Sequence, residues 1–390
     1  MSFYPPQRTL LGPGPSDVNP RITSALARPT IGHLDPEFIR LMDETKALLQ
    51  YVFKTENELT LPISAPGSAG MEACFVNLIE AGDTVIVCQN GVFGMRMQEN
   101  VTRVGATAVM VEDQWGHTID INKLQTAIDD NPMAKAIAFV HAETSTGVQS
   151  DAAAICALAS KHNMLSIVDT VTGLAGIEVN VDDWGADAVY SGTQKCLSCV
   201  PGLSPTTFSE RAVAVLKNRK TPVQSWFLDM NLVLGYWGAG SKRSYHHTAP
   251  VNSLYALHEA LIILQEEGLE NSWARHALNH NALKAGLESL GIGFIVNESA
   301  RLPQLNAVSI PEGIDEAAVR TQLLNDYNIE IGAGLGQLAG KVWRIGLMGF
   351  SSNPSNVRAL LGAMEACLIS QGLSLETGKA QLAANSVYSG

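Results

Sequence analysis

Short apolar runs, rich in β-branched residues, recur through the first half of this chain: Thr84–Cys88, Thr107–Val111, Ala136–His141, Leu165–Asp169 and Ala188–Ser191. Segments of helical periodicity lie between most of them, notably Val92–Val104, Asn122–Asp129 and Asp151–Lys161. An unbroken apolar strand is buried on both faces, and strands that alternate with helices need crossover connections. Together these predict an α/β fold with a mainly parallel sheet covered by helices on both sides. Upstream, Phe38–Val52 and Met71–Ile79 also carry helical periodicity. Residues 1–15 do not. They hold Pro5, Pro6 and Gly12-Pro13-Gly14-Pro15, which excludes regular helix or central strand and predicts an extended arm.

The alternation fades after Thr207. A long helix is expected from Ser253 through Glu267, continuing past Gly268 as Asn271–Leu290. Beyond it the texture changes, with strands expected near Gly293–Val296, Ala307–Ile310 and Val342–Ile345 and helices near Glu316–Leu324 and Asn356–Gln371. That pattern reads as a smaller α+β domain. The expected division is an arm over 1–15, a large domain over 16–267 and a small C-terminal domain over 268–390.

Composition narrows the partners. Acidic residues outnumber basic ones 38 to 26, a formal charge of −12, which argues against a nucleic acid or an anionic membrane as main partner. Only 16% of the 390 residues are charged and 46% are apolar, so the chain has apolar surface to spare for an interface between subunits. No apolar run reaches the ~18 residues of a membrane span. Met1–Gln7 lacks the basic and apolar stretches of a secretory signal, and six cysteines in a chain this long make no disulfide framework. A cytoplasmic protein with reduced thiols is expected.

In a doubly wound sheet, ligands bind beyond the carboxyl ends of the strands. One loop there carries Gly67-Ser68 at the start of a helix, where free N–H groups and the positive helix end can hold phosphate. An ordinary serine N-cap would look the same. Asp169 ends the apolar run Leu-Ser-Ile-Val-Asp, a costly place for a carboxylate unless it meets a cation or donors. It is otherwise a turn or capping aspartate. Lys195 follows the run Ala188–Ser191; a lysine in a desolvated pocket can lose its proton and attack a carbonyl, whereas most lysines are merely solvated. Neither is specific alone. At the ends of two successive strands they are.

This pairing, with Ser191-Gly192-Thr193-Gln194-Lys195, resembles the fold-type I pyridoxal-phosphate enzymes of aminotransferase class V, and among them the alanine–glyoxylate and serine–glyoxylate aminotransferases. The likeness runs nearly the full chain: LLGPGPS near residue 10, NGVFG at 90, HAETSTGV at 141, SGTQK at 191, YHHT at 245, GLENSW at 268 and GKVWRIGLMG at 340. The resemblance implies that Lys195 holds pyridoxal 5'-phosphate covalently and moves the proton, and that Asp169 pairs with the pyridine nitrogen. It implies that Phe93 stacks on the ring, where relatives often have tryptophan, and that Thr144 reaches its phenolic oxygen. Gly67, Ser68 and Gln194 would take the phosphate, helped by Tyr245 and Thr248 from a second subunit. Such a shared site makes a homodimer obligatory.

Arg344 interrupts the apolar run Val342-Trp343-Arg344-Ile345, where an unpaired guanidinium is expensive. Its planar fork suits a substrate carboxylate, the use the family makes of it; the alternative is a structural ion pair. Gly14 and His33 complete the implied substrate pocket. Other signals carry less. Cys196 and Cys199 have metal spacing but no second pair, so both read as packing residues, and no metal is expected. His246 and His247 are adjacent and lack a third ligand.

The expected reaction moves an amino group from a small L-amino acid, alanine or serine, to glyoxylate, giving glycine and a 2-oxo acid. The alternative is (S)-ureidoglycine–glyoxylate transamination, which GTQKCLS around Lys195 and the tail LETGKAQLAANSVY favour. Against it, that subfamily tends to carry Gln where this chain has His33 and Asn where it has Tyr245. A class V lyase is a further alternative, but those relatives place histidines where Phe93 and Gln194 stand.

Overall fold

The computed structural model describes residues 1–238 and 243–389. Seven strands form the main sheet: β1 (Leu59–Ile63), β2 (Thr84–Gln89), β3 (Thr107–Glu112), β4 (Ala136–Val140), β5 (Leu165–Asp169), β6 (Ala188–Tyr190) and β7 (Ser204–Phe208). Their order is β1-β7-β6-β5-β4-β2-β3. The pairings from β6 through β3 are parallel, while β7 runs antiparallel to both β6 and β1. Every residue of β4 and β5 is buried, as central strands covered on both faces require. Each large apolar side chain there, such as Phe139 or Ile167, contributes roughly 1.5–3 kcal/mol by leaving water.

The apolar pattern does not announce β1 or β7. They read Leu-Thr-Leu-Pro-Ile and Ser-Pro-Thr-Thr-Phe, yet both are wholly buried. Their hydroxyls are satisfied inside the sheet: Thr60 Oγ1 and Thr207 Oγ1 share a 2.7 Å hydrogen bond. Pro62 is tolerated because β1 is an edge strand.

After the helix Val251–Glu267, Gly268 turns the chain with a φ of 84°, and the helix Leu269–Ser289 begins at once. A three-stranded antiparallel sheet follows, β8 (Leu305–Ser309), β9 (Gly332–Ala333) and β10 (Val342–Gly346), in the order β8-β10-β9. The strand expected over Gly293–Val296 does not form. A single bridge joins Phe294 to Val308, and the Ser309 hydroxyl takes the Gly293 N–H that would have extended a ladder.

The core falls into two clusters. One fills the main sheet and its helices; the other gathers Leu283, Leu287, Trp343, Leu361 and Met364 under the C-terminal sheet. Leu11 of the arm belongs to the second cluster. Thr9–Leu10 pairs in parallel with Ile329–Glu330, and the Gly346 N–H donates to Leu11 O at 2.8 Å. The arm is thereby tied to the end of β10 before it crosses toward Lys195. Among the described residues no helix is long and apolar enough to cross a membrane.

Candidate active site

β4, β5 and β6 place Val140, Asp169 and Tyr190 as successive register partners. The Asp169 carboxylate is therefore buried beside a tyrosine. Tyr190 Oη donates to its Oδ2 at 2.7 Å and the Val171 N–H donates to its Oδ1 at 2.8 Å. Burial pushes its pKa up to about 6, against the pull of these two donors and of Lys195. The ordinary capping reading accounts for one of its two bonds only.

Lys195 is 8% exposed, and its ammonium donates to the carbonyl of Pro13 in the arm. Burial, and next the positive charge of Arg344, lower its pKa to about 8. It is not a solvated surface lysine. The Ser16 N–H donates to Gln194 O at 2.9 Å and its hydroxyl to Lys195 O at 2.8 Å, so the arm clamps the lysine loop. Gly14, with a φ of +106°, lies against the lysine; a Cβ there would sit 2.4 Å from Nζ.

Arg344 reaches the same place from β10. Its Nε donates to Ala333 O at 2.7 Å and its Nη1 to Thr144 O at 3.2 Å. Among the described residues it has no carboxylate at ion-pair distance, so the structural ion pair is absent. Burial lowers its pKa to about 10, opposed by the nearby charge of Glu143. Among the described residues two of its five N–H donors are used on carbonyls, which leaves three.

Thr144 is buried, and its hydroxyl bonds that of Thr172. Phe93 is half-buried in the helix Val92–Arg103, with the Arg96 guanidinium 4.6 Å from the centre of its ring. Gly67 opens the helix Gly67–Leu78, whose N-cap is Pro66 and has no side-chain cap. Ser68 is therefore inside the first turn, and the serine N-cap reading fails. A Cβ at Gly67 would lie 3.3 Å from Ser191 O, so this helix start packs tightly on the lysine loop. Gln194 Oε1 is buried with no hydrogen-bond partner among the described residues.

Tyr245, Thr248 and His33 form a separate group. Tyr245 is 61% exposed, 3.4 Å from the Thr248 hydroxyl, with its ring centre 5.3 Å from that of His33. Among the described residues no hydrogen bond joins them to Asp169, Lys195 or Arg344. The neighbouring His247 reaches Ser64 Oγ, at the head of the Gly67 loop, at 2.7 Å. Cys196 and Cys199 are buried free thiols.

Two polar residues at this rim escaped the sequence reading. Tyr190 looks like one more apolar position of β6 until register sets it beside Asp169. Glu143 ends the short strand Ala142–Glu143, which pairs antiparallel with Val148–Gln149; it is fully buried, with its pKa pushed up by burial to about 7.

Residues 21–359 match the family model for aminotransferase class-V. The chain is 36% identical to an alanine–glyoxylate aminotransferase of Drosophila melanogaster, over 96% of each protein. The solved alanine–glyoxylate aminotransferase of Nostoc sp. superposes with a TM-score of 0.92 at 46% identity, covering 94% of this chain and 97% of that one. The ureidoglycine–glyoxylate aminotransferase of Bacillus subtilis superposes with a TM-score of 0.97 at 38% identity over all of both chains. The chain belongs to the class-V aminotransferases, enzymes that depend on pyridoxal phosphate.

Proposed function

We propose that this protein transfers the amino group of a small L-amino acid, alanine or serine, to glyoxylate, giving glycine and a 2-oxo acid. The observation that carries the reading is Arg344: buried, unpaired by any acid among the described residues, and close enough to Lys195 to lower its pKa. Both substrates are carboxylates, and both would use the fork in turn, which gives ping-pong kinetics.

The residues present suit pyridoxal phosphate. The helix starting at Gly67 has first-turn N–H groups that no side chain caps, a place for the phosphate with Ser68 in that turn, and Gln194 would join from the lysine loop that packs on Gly67. Asp169 has one donor on each oxygen and keeps acceptor capacity for a ring N–H. When bound, the cofactor supplies an aldehyde for the amino group and a ring that accepts electrons from the substrate Cα. Lys195 Nζ provides the amine that anchors it and then carries the proton to and from Cα. Asp169 holds the proton on the pyridine nitrogen. Phe93 would stack on the ring, Thr144 would bond near the phenolic oxygen, and Arg344, with Gly14 against Lys195, would orient the carboxylate, while His33 would join from the separate group it forms with Tyr245.

Tyr245 and Thr248 we assign to the phosphate of a second subunit in a homodimer. Their exposure supports this, as does that of Trp226, 62% accessible and stacked on His246 at 4.4 Å. A second reading, ureidoglycine as the donor, is favoured by the end-to-end match to the Bacillus subtilis enzyme. Initial rates with alanine, serine and (S)-ureidoglycine against glyoxylate test the assignment. Turnover with (S)-ureidoglycine alone would replace the first reading by the second, and no glycine from any of the three would remove both.

A further inference from the structure

The helix Val92–Arg103 follows Gly91, which has no side chain with which to cap it. Its first two N–H groups are nevertheless bonded, by a loop some fifty residues away. The Val92 N–H donates to Ser145 Oγ at 3.0 Å and the Phe93 N–H to Glu143 Oε2 at 3.2 Å. The other carboxylate oxygen, Oε1, accepts from the Ser145 N–H at 3.0 Å and from its hydroxyl at 2.6 Å. All three partners of Glu143 are donors, the set an ionised carboxylate fits, and the positive end of a helix favours that charge.

The contact is close by construction. A Cβ on Gly91 would fall 2.3 Å from Glu143 Cδ and 2.5 Å from Ser145 Oγ, so the two loops meet there only because residue 91 is glycine. The next residue after Glu143 is Thr144, whose carbonyl takes the Arg344 guanidinium. One loop therefore touches both the helix start that carries Phe93 and the arginine of the carboxylate site.

We propose that Glu143 is a positioning residue that caps the Phe93 helix from the neighbouring loop and so holds the ring-stacking aromatic in fixed relation to Thr144 and Arg344. The inference rests on the reading of Phe93 as the residue above the cofactor ring. Glu143 touches no cofactor atom and holds Phe93 in place, while its charge is also felt by Asp169 and Arg344. Burial works against the charged form of Glu143, and the bonds from Ser145 and Phe93 work for it.

Glu143→Gln keeps the shape and one acceptor but turns an amide N–H toward one of the three donors. In the holoenzyme we expect cofactor release, followed by the loss of its visible absorption band after dilution into a trapping reagent, to quicken about tenfold. Phe93→Ala should quicken it too. The double variant should release no faster than Phe93→Ala alone, since the cap has nothing left to hold. Equal acceleration by Glu143→Gln in both backgrounds, or none in either, would overturn the inference. Unchanged release from Phe93→Ala by itself would instead remove the ring-stacking reading, and the inference with it. Should Glu143→Gln fail to fold, Ser145→Ala removes both the link to Val92 and the hydroxyl bond to Glu143 Oε1 while leaving the carboxylate on the Phe93 N–H, and the same cycle applied to it separates the same outcomes.

Discussion

Tyr190 Oη donates a 2.7 Å hydrogen bond to Asp169 Oδ2 from the position directly opposite in the β5–β6 ladder. The tyrosine is fully buried, and its own pKa is raised well above the ordinary value by burial and by the carboxylate beside it. It stays protonated, and so stays a donor, across the working pH range.

Removing that donor should loosen the hold on the carboxylate's charge. In the cofactor-free protein Tyr190→Phe leaves Oδ2 without its partner, so Asp169 should keep its proton to a higher pH than its present value of about 6. Carboxyl carbon chemical shifts of labelled aspartate, followed through a pH titration, measure the midpoint. A midpoint at or below that of the unaltered protein would show that the phenol does not stabilise the charge.

Lys195 makes a second pH-dependent prediction. Its pKa falls from the usual 10.5 to about 8, first through burial and then through Arg344. Only the neutral amine attacks an aldehyde, so the rate at which the cofactor-free protein captures pyridoxal phosphate should rise with pH through about 8 and then level off. Between about 8 and 10.5 the unfolded chain holds a proton that the folded one has lost, so Lys195's contribution to stability rises with pH over that window. Arg344→Met removes the repulsion, and the midpoint of capture should move upward. Stopped-flow absorbance at a series of pH values decides it, and a midpoint unmoved by Arg344→Met would mean that burial acts alone.

How much of this was legible in the sequence depended on whether a residue's meaning was local. The central strands were legible because burial on both faces writes itself as an apolar run, and Leu165–Asp169 is found at its expected limits. Asp169, Lys195 and Arg344 stood out for the complementary reason, each being a charge set at the end of such a run or within it. β1 and β7 were not, because Thr60 and Thr207 are buried through a bond to each other that no single segment displays. Tyr190 and Glu143 were hidden likewise. The first matters through strand register, the second through a glycine that lets two loops meet. Gly293–Val296 erred the other way, since an apolar segment is not a strand once a side chain takes its N–H.

Arg344→Lys keeps the charge and loses the fork. The bond to Ala333 O comes from Nε and that to Thr144 O from Nη1, so lysine cannot hold both carbonyls and a carboxylate in one plane. KM for the amino donor and KM for glyoxylate should each rise by about 10- to 100-fold. The two half-reactions should suffer alike, because both acids occupy one place in turn. Steady-state kinetics with each substrate varied against the other measure it, and a rise confined to one substrate would place the second carboxylate elsewhere.

The shared-site proposal is tested by mixing two inactive proteins. Lys195→Ala lacks the anchoring amine but presents intact Tyr245 and Thr248; Tyr245→Phe/Thr248→Ala keeps the lysine and loses the hydroxyls. If those hydroxyls serve the partner's phosphate, a mixed dimer gathers both defects in one site and leaves the other whole. Equal mixing with full subunit exchange makes half the dimers mixed, each with one sound site of two, so about a quarter of the unaltered activity should return. The hydroxyls' position favours this outcome: Tyr245 is 61% exposed and, among the described residues, pairs with Thr248 rather than with any group around Lys195. Heterodimers shown by mass spectrometry to have formed, yet no more active than the separate variants, would mean that each site is completed within its own chain.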